Sequence, residues 1–287
     1  MNAGQVLWVN DRLVSPGASG LDPRDRGFTL GDGLFETMRV RGGVVQRPTR
    51  HLARLRAGAA VIGLPLPWSD GELATAIART RAANAVREAA VRLSVSRGVP
   101  ATRGLLPDPD PAPSLVIQAQ SFAGYPKALY ARGMQAIISR IRRNEHSPLA
   151  NVKALCYLDN VLARREAAEH GADEALLLNT AGYLACASAA NLFLVVGDTL
   201  VTPPLSAGAL PGTVRDAVLA ELAPRLGLTV CDRPVAPEEL ARAGEAFLTS
   251  ALLGVMPLTA VHGRPVGRGA PGPLTLTLGA AWEGAAR

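Results

Sequence analysis

In Asn151-Val152-Lys153-Ala154-Leu155-Cys156-Tyr157-Leu158-Asp159-Asn160, one lysine stands among apolar and small residues just ahead of a helical pattern. Of the 30 basic residues only Lys127 and Lys153 are lysines, so arginine supplies 28. A chain that writes nearly every cation as arginine has little use for lysine as a surface charge. Arginine stays protonated, whereas a desolvated lysine loses its proton and attacks a carbonyl to form a Schiff base. Lys153 is therefore a candidate covalent anchor for an aldehyde cofactor. The competing interpretation is an ordinary surface amine, and the flanking sequence decides between them.

Working outward, 287 residues exceed one typical core and imply two domains. The expected division is a small N-terminal α/β domain over 1–120, a linker over 121–129 around Gly124 and Pro126, and a larger domain over 130–287. Hydrophobic content of 48% against 19% charged residues is the balance of a globular chain. Aromatics are only 4%, so the cores must be built from Ala, Leu and Val. The net charge of +6 raises nucleic-acid binding, but the arginines are dispersed and not interleaved with stacking aromatics, so none is expected. Cys156, Cys186 and Cys231 have no paired spacing, and the four histidines form no metal-ligand pattern, so neither a disulfide framework nor a metal is expected. No apolar run approaches the length of a membrane span, and Met1–Gln5 carries no leader pattern, so the expectation is a cytoplasmic protein without membrane contact.

Strands are expected at 5–9, 34–40, 90–96, 114–120 and 134–141, with 175–178 and 192–196 as a hairpin-like pair. Helices are expected from Arg50 to Ile62, from an N-cap at Asp70 through Ala85, over 158–170 and 212–226, and in the tail after Pro273. The glycine- and aspartate-rich stretch 25–33 reads as a structured loop. Strands and helices mix in both halves, so the fold class is α/β or α+β.

The motifs taken in order resemble the class IV, or fold-type IV, aminotransferase family. Asp25-Arg26-Gly27 with Gly31-Asp32-Gly33-Leu34-Phe35-Glu36-Thr37 is similar to its N-terminal signature. His51-x-x-Arg54-Leu55 resembles the helix whose arginine grips the cofactor phosphate, and Lys153 falls where the Schiff-base lysine falls. Gly171-Ala172-Asp173-Glu174-Ala175, Ala190-Asn191-Leu192-Phe193 and Leu210-Pro211-Gly212-Thr213-Val214-Arg215 complete the series. Each alone is weak, but six in order are specific. The resemblance implies pyridoxal 5′-phosphate as cofactor, a small-molecule amino substrate, and a homodimer with the active site at the domain junction. It implies that Lys153 is anchor and general base, and that Arg54 and the helix start at Thr213 and Val214 hold the phosphate. Val214 lacks a hydroxyl, so only its main chain serves. Asn191 and Arg215 are expected to set turns and packing.

One position departs from the family. In Leu184-Ala185-Cys186-Ala187-Ser188, Cys186 stands where the family places the glutamate that keeps the pyridine nitrogen protonated. A unit-charge pair at about 4 Å and an effective dielectric near 20 is worth about 4 kcal/mol, which an uncharged thiol does not supply. The loop Ser96-Arg97-Gly98-Val99-Pro100-Ala101-Thr102-Arg103-Gly104-Leu105 lacks the Arg-x-His of D-amino-acid aminotransferases. It is closer to aminodeoxychorismate lyases, as is Ser250–Leu258. The resemblance thus implies a folate-pathway lyase releasing pyruvate and 4-aminobenzoate, with Arg97 or Arg103 binding a substrate carboxylate. The alternatives are a transaminase of D- or branched-chain amino acids, or a weakly active cofactor-binding relative.

Overall fold

The computed structural model describes residues 4–15, 17–18 and 20–285; the start of the Met1–Gln5 segment read for a leader lies outside them. The chain forms two compact units, Met1–Ala123 with Val152–Cys156, and Gly124–Asn151 with Tyr157–Arg287.

In the first unit, β1 (Leu7–Val9), β2 (Arg12–Val14), β3 (Gly33–Arg41), β4 (Val44–Val45), β5 (Ala89–Ser96) and β6 (Ser114–Ser121) make an antiparallel sheet ordered β2-β1-β6-β5-β3-β4. Its helices are α1 (Arg26–Leu30), α2 (Pro48–Val61) and α3 (Asp70–Ala83). Alternation along β3 and β5 sends Leu34, Met38, Val91, Leu93 and Val95 into one core with Leu52 and Leu55 of α2 and Leu73 and Ile77 of α3. Phe35, Thr37, Arg92 and Ser94 thereby share the opposite face. The α3 cap is Ser69, not Asp70. The Ser69 hydroxyl accepts from Glu72 N–H, and the Glu72 carboxylate accepts from Ser69 N–H in return, a reciprocal box that Asp70 is one residue too late to make. The stretch read as loop over 25–33 contains α1, capped by the Asp25 carboxylate and ended at Gly31 with φ +66°.

The second unit comprises α4 (Lys127–Arg132), β7 (Met134–Arg143), α5 (Leu158–Glu169), β8 (Glu174–Asn179), β9 (Leu184–Ala187), β10 (Asn191–Val196) and β11 (Thr199–Thr202). A helical run follows as α6 (Thr213–Ala217), a π turn and α7 (Ala223–Arg225), then β12 (Thr229–Asp232), β13 (Glu245–Ser250), β14 (Gly254–Val261), β15 (Arg264–Pro265) and α8 (Pro273–Ala285). The mixed sheet runs β12-β11-β10-β13-β14-β7-β8-β9, with β15 on β14. Phe193 and Phe247 stack at 4.9 Å between ring centres, and Leu278 and Trp282 of α8 join their cluster.

Three further expectations change. Strands 175–178 and 192–196 do not pair; β8 pairs with β9, while β10 pairs with β11 and β13. The small residues Ala185, Cys186 and Ala187 of β9 have little intrinsic strand preference, which hid it. The 121–129 linker is interrupted, since Ser121 ends β6 and Lys127 opens α4. The lysine-bearing segment, expected in the C-terminal domain, packs with the first unit.

Candidate active site

Residues 152–156 run antiparallel to the start of β3. Phe35 N–H donates to the Lys153 carbonyl and Leu155 N–H to the Gly33 carbonyl, both at 2.9 Å. Val152 and Ala154 are buried in the helix-side core, so alternation turns Lys153 toward the other face. There its amine lies 4.1 Å from the centre of the Phe35 ring. The Arg92 guanidinium carbon lies 3.8 Å from the same centre. Burial lowers the Lys153 amine to about 8, with Arg54 and Arg92 pushing the same way and Glu36 opposing them. An amine in that range is a competent nucleophile and base near neutral pH.

Arg54 reaches this region from α2. Its Nε donates to Glu36 Oε1 at 2.7 Å and its Nη2 to Oε2 at 2.6 Å, a forked pair, and His51 Nδ1 lies 2.6 Å from Oε2. Burial works against the Glu36 charge, but the hydrogen bonds from Arg54 and His51 outweigh it and bring the carboxyl down to about 2. Arg54 and Glu36 thus act electrostatically on Lys153.

The two arginines expected to meet substrate part company. Arg97 is 5% exposed. Its Nε donates to Asp32, and its two terminal nitrogens to the carbonyls of Gly63 and Ile62. It is a strut that ties the β5 end to the α2 end, and its guanidinium is consumed in doing so. Arg26 makes a matching strut, from Asp32 to the carbonyls of Gly104 and Leu105. Arg103 is exposed, with no hydrogen bond or ion pair among the described residues. The arginine that does stand beside Lys153 and Phe35 is Arg92, which sequence reasoning missed. Its signal was a charge in the middle of the alternating strand Ala89–Ser96, on the face opposite Val91, Leu93 and Val95.

In the second unit, Thr213 and Val214 open α6 and are both buried. Asn191 shapes the approach, its side-chain amide donating to the Leu210 carbonyl at 2.8 Å. A Cβ on Gly212 would overlap the Asn191 amide oxygen, so a larger residue there would displace the Asn191 side chain. Arg215 turns away from the helix start, to the Pro203 carbonyl and Asp232, as expected of a packing residue. Thr249 lies opposite Asn191 in the sheet, and its buried hydroxyl has no hydrogen-bond partner among the described residues. Asn151 donates to the carbonyls of Leu205 and Ala209, tethering the chain just before Lys153 to the loop that leads to Gly212.

Cys186 on β9 is buried among Ile137, Ala163, Ala167 and Leu177. Burial pushes its thiol up to about 11; Arg143 opposes this weakly and Glu174 adds to it. It is uncharged at neutral pH. Glu174 does not replace the missing carboxylate, because it accepts from its neighbour's N–H and from Ser188 and pairs with Arg164. A cavity of about 380 Å³ in the same unit is lined by Tyr125, Tyr157, Asn160, Arg164 and Glu174 among others. Among the described residues no group of three metal-ligating side chains occurs, and no helix is long and apolar enough to cross a membrane.

The sequence pattern of the Amino-transferase class IV family matches residues 33–261. This chain belongs to that family. It is 31% identical to the D-alanine aminotransferase of Bacillus licheniformis, over 93% of this chain and 92% of that protein. Its fold matches the branched-chain amino acid aminotransferase of Escherichia coli with a TM-score of 0.93 at 28% identity, covering 99% of this chain and 95% of the other. It matches the 4-amino-4-deoxychorismate lyase of Pseudomonas aeruginosa with a TM-score of 0.84 at 33% identity, covering 97% and 98%. The chain is thus a two-sheet, fold-type IV, pyridoxal-phosphate-dependent enzyme of the aminotransferase and lyase class. Within the first unit its residues fit that cofactor at the Lys153 amine and the Arg54 guanidinium, and the second unit by itself offers the buried start of α6. The chain departs from that fit at Cys186.

Proposed function

We propose that this family member is a lyase, removing pyruvate from 4-amino-4-deoxychorismate to leave 4-aminobenzoate. The observation that carries the proposal is the uncharged, buried Cys186 thiol where a ring-protonating carboxylate is expected. Pyridoxal phosphate, when bound, supplies the aldehyde for the substrate amine and a ring that withdraws electrons. With no carboxylate beside the ring nitrogen that withdrawal is weak, which penalises amino transfer most. Elimination has a second outlet for the electrons. The Lys153 amine takes the proton from the amine-bearing ring carbon, the electron pair left there becomes the third ring double bond as the adjacent C–O bond breaks, and the departing enolate takes up a proton at carbon to become pyruvate. Arg92 and the exposed Arg103 are the cations offered to the substrate carboxylates. In the first unit Arg54 is the cation offered to the cofactor phosphate, and in the second the α6 start at Thr213 and Val214 offers main-chain N–H groups to an anion.

The protein acts in the cytoplasm as a homodimer in this proposal. Phe28, Leu105 and Leu106 are 81%, 81% and 87% exposed, large apolar side chains that a second copy would cover. Light scattering after gel filtration reads the oligomeric state.

Incubation with 4-amino-4-deoxychorismate and no 2-oxo acid should release pyruvate and 4-aminobenzoate in equal amounts. Turnover that requires a 2-oxo acid and yields no pyruvate would overturn the lyase. It would support the second reading, transamination of D- or branched-chain amino acids, which the higher TM-score to the Escherichia coli aminotransferase favours.

A further inference from the structure

Glu36 lies in the middle of a sheet face otherwise filled by Leu34, Met38 and Val40, and it is 0% exposed. A charge buried there is tolerated only when it is paired and hydrogen-bonded. Its two oxygens divide the work: Oε1 takes Arg54 Nε, while Oε2 takes both Arg54 Nη2 and His51 Nδ1. Two parallel N–H···O bonds fix the plane of a guanidinium as well as its place, which one bond does not. His51 and Arg54 are three apart on α2, so one helix face presents both to the same carboxylate. Because Nδ1 faces an ionised oxygen, it carries the proton and donates, fixing the carboxylate's own rotation.

Resting on the assignment of Arg54 to the cofactor phosphate, we infer that Glu36 is a positioning residue. It presets the Arg54 guanidinium to receive a phosphate-bearing aldehyde, with His51 holding Glu36 in turn. The consequence is selectivity for the phosphorylated cofactor over the same ring without its phosphate. A fork fixed beforehand loses little side-chain freedom when the anion arrives.

The test compares binding of pyridoxal 5′-phosphate and of pyridoxal to the full-length chain freed of cofactor, read by the absorbance of the Schiff base. In Glu36→Gln the affinity ratio of pyridoxal 5′-phosphate to pyridoxal should fall about tenfold or more, because the effect of Glu36 on Lys153 is common to both aldehydes. Equal loss for both aldehydes, or loss for neither, would overturn the inference. Should Glu36→Gln fail to fold, Glu36→Asp decides. It keeps the charge but withdraws the fork, so a positioning role predicts the same split, whereas a carboxylate that merely balances charge leaves the ratio unchanged. Failure of the underlying assignment looks different: in the unaltered chain, the phosphorylated aldehyde would show no preference over pyridoxal to begin with.

Discussion

The Lys153 amine lies 4.1 Å from the centre of the Phe35 ring. Arg92 lies against the same ring, so two cations compete for one half-buried spot, and only the lysine is able to yield its proton. Burial above all, with Arg54 and then Arg92 pushing the same way against Glu36, brings its amine to about 8, not 10.5. At pH 7.5 about a quarter of the molecules carry the free base, against about one in a thousand for an ordinary lysine. The rate of Schiff-base formation by the cofactor-free chain should rise with pH and level off just above 8. Borohydride trapping and peptide mass analysis should find the adduct at Lys153 and none at Lys127. A rate that keeps climbing beyond pH 10 would mean the amine is solvated.

The Glu36 cluster makes the first unit acid-sensitive. The carboxyl titrates near 2 when folded and near 4.5 when unfolded, so the folded chain holds fewer protons between those values. Its contribution is complete above about pH 4.5 and is lost as the pH falls toward 2. For this fully buried group the difference amounts to about 3 kcal/mol. Urea unfolding at pH 6 and pH 3 should show the loss, and Glu36→Gln should remove that share of the pH dependence.

Arg97 and Arg103 separate a strut from a candidate substrate contact. Removing Arg97 leaves Asp32 short of a partner and two carbonyls without their donors, a loss of about 2–4 kcal/mol. Arg97→Ala should lower the melting temperature by several degrees. Arg103→Ala touches nothing in the described fold, so its melting temperature should match the unaltered chain while KM rises. Equal KM for Arg103→Ala and the unaltered chain would leave Arg92 as the one substrate cation.

The long elements were legible because their periodicity is strong: α2, α3, β5 and β6 read from alternation and capping to within a residue or two at most ends. What escaped was set by distant partners. The assignment of 152–156 to the first unit depends on two backbone bonds to β3 that no local pattern encodes. Arg97 looked like a loop cation because its three acceptors lie 34 to 65 residues away in sequence. Lys153 and Arg54 were legible for another reason. One of only two lysines and an HxxRL pattern stand out by residue type, whereas Arg92 was one of 28 arginines until the sheet set it beside Phe35.

Cys186 offers the sharpest test of reaction type. Cys186 packs in a cluster with Ala163, Ala167 and Ala175, so the longer side chain of Cys186→Glu must displace its neighbours. A carboxylate there is buried and, Arg143 apart, finds its partner in a protonated ring nitrogen, so the cofactor-free variant should melt below the unaltered chain, and binding pyridoxal phosphate should widen the gap between free and loaded forms. With the ring nitrogen protonated, the half-reaction that converts the aldehyde form to the amine form with D-alanine or leucine should quicken by about tenfold or more, from a pair worth about 4 kcal/mol at most. Pyruvate release, which has its own outlet for electrons, should change less. A half-reaction no faster than before, together with an unchanged gap in melting temperature, would mean that residue 186 does not face the ring nitrogen and that the choice of elimination has another cause.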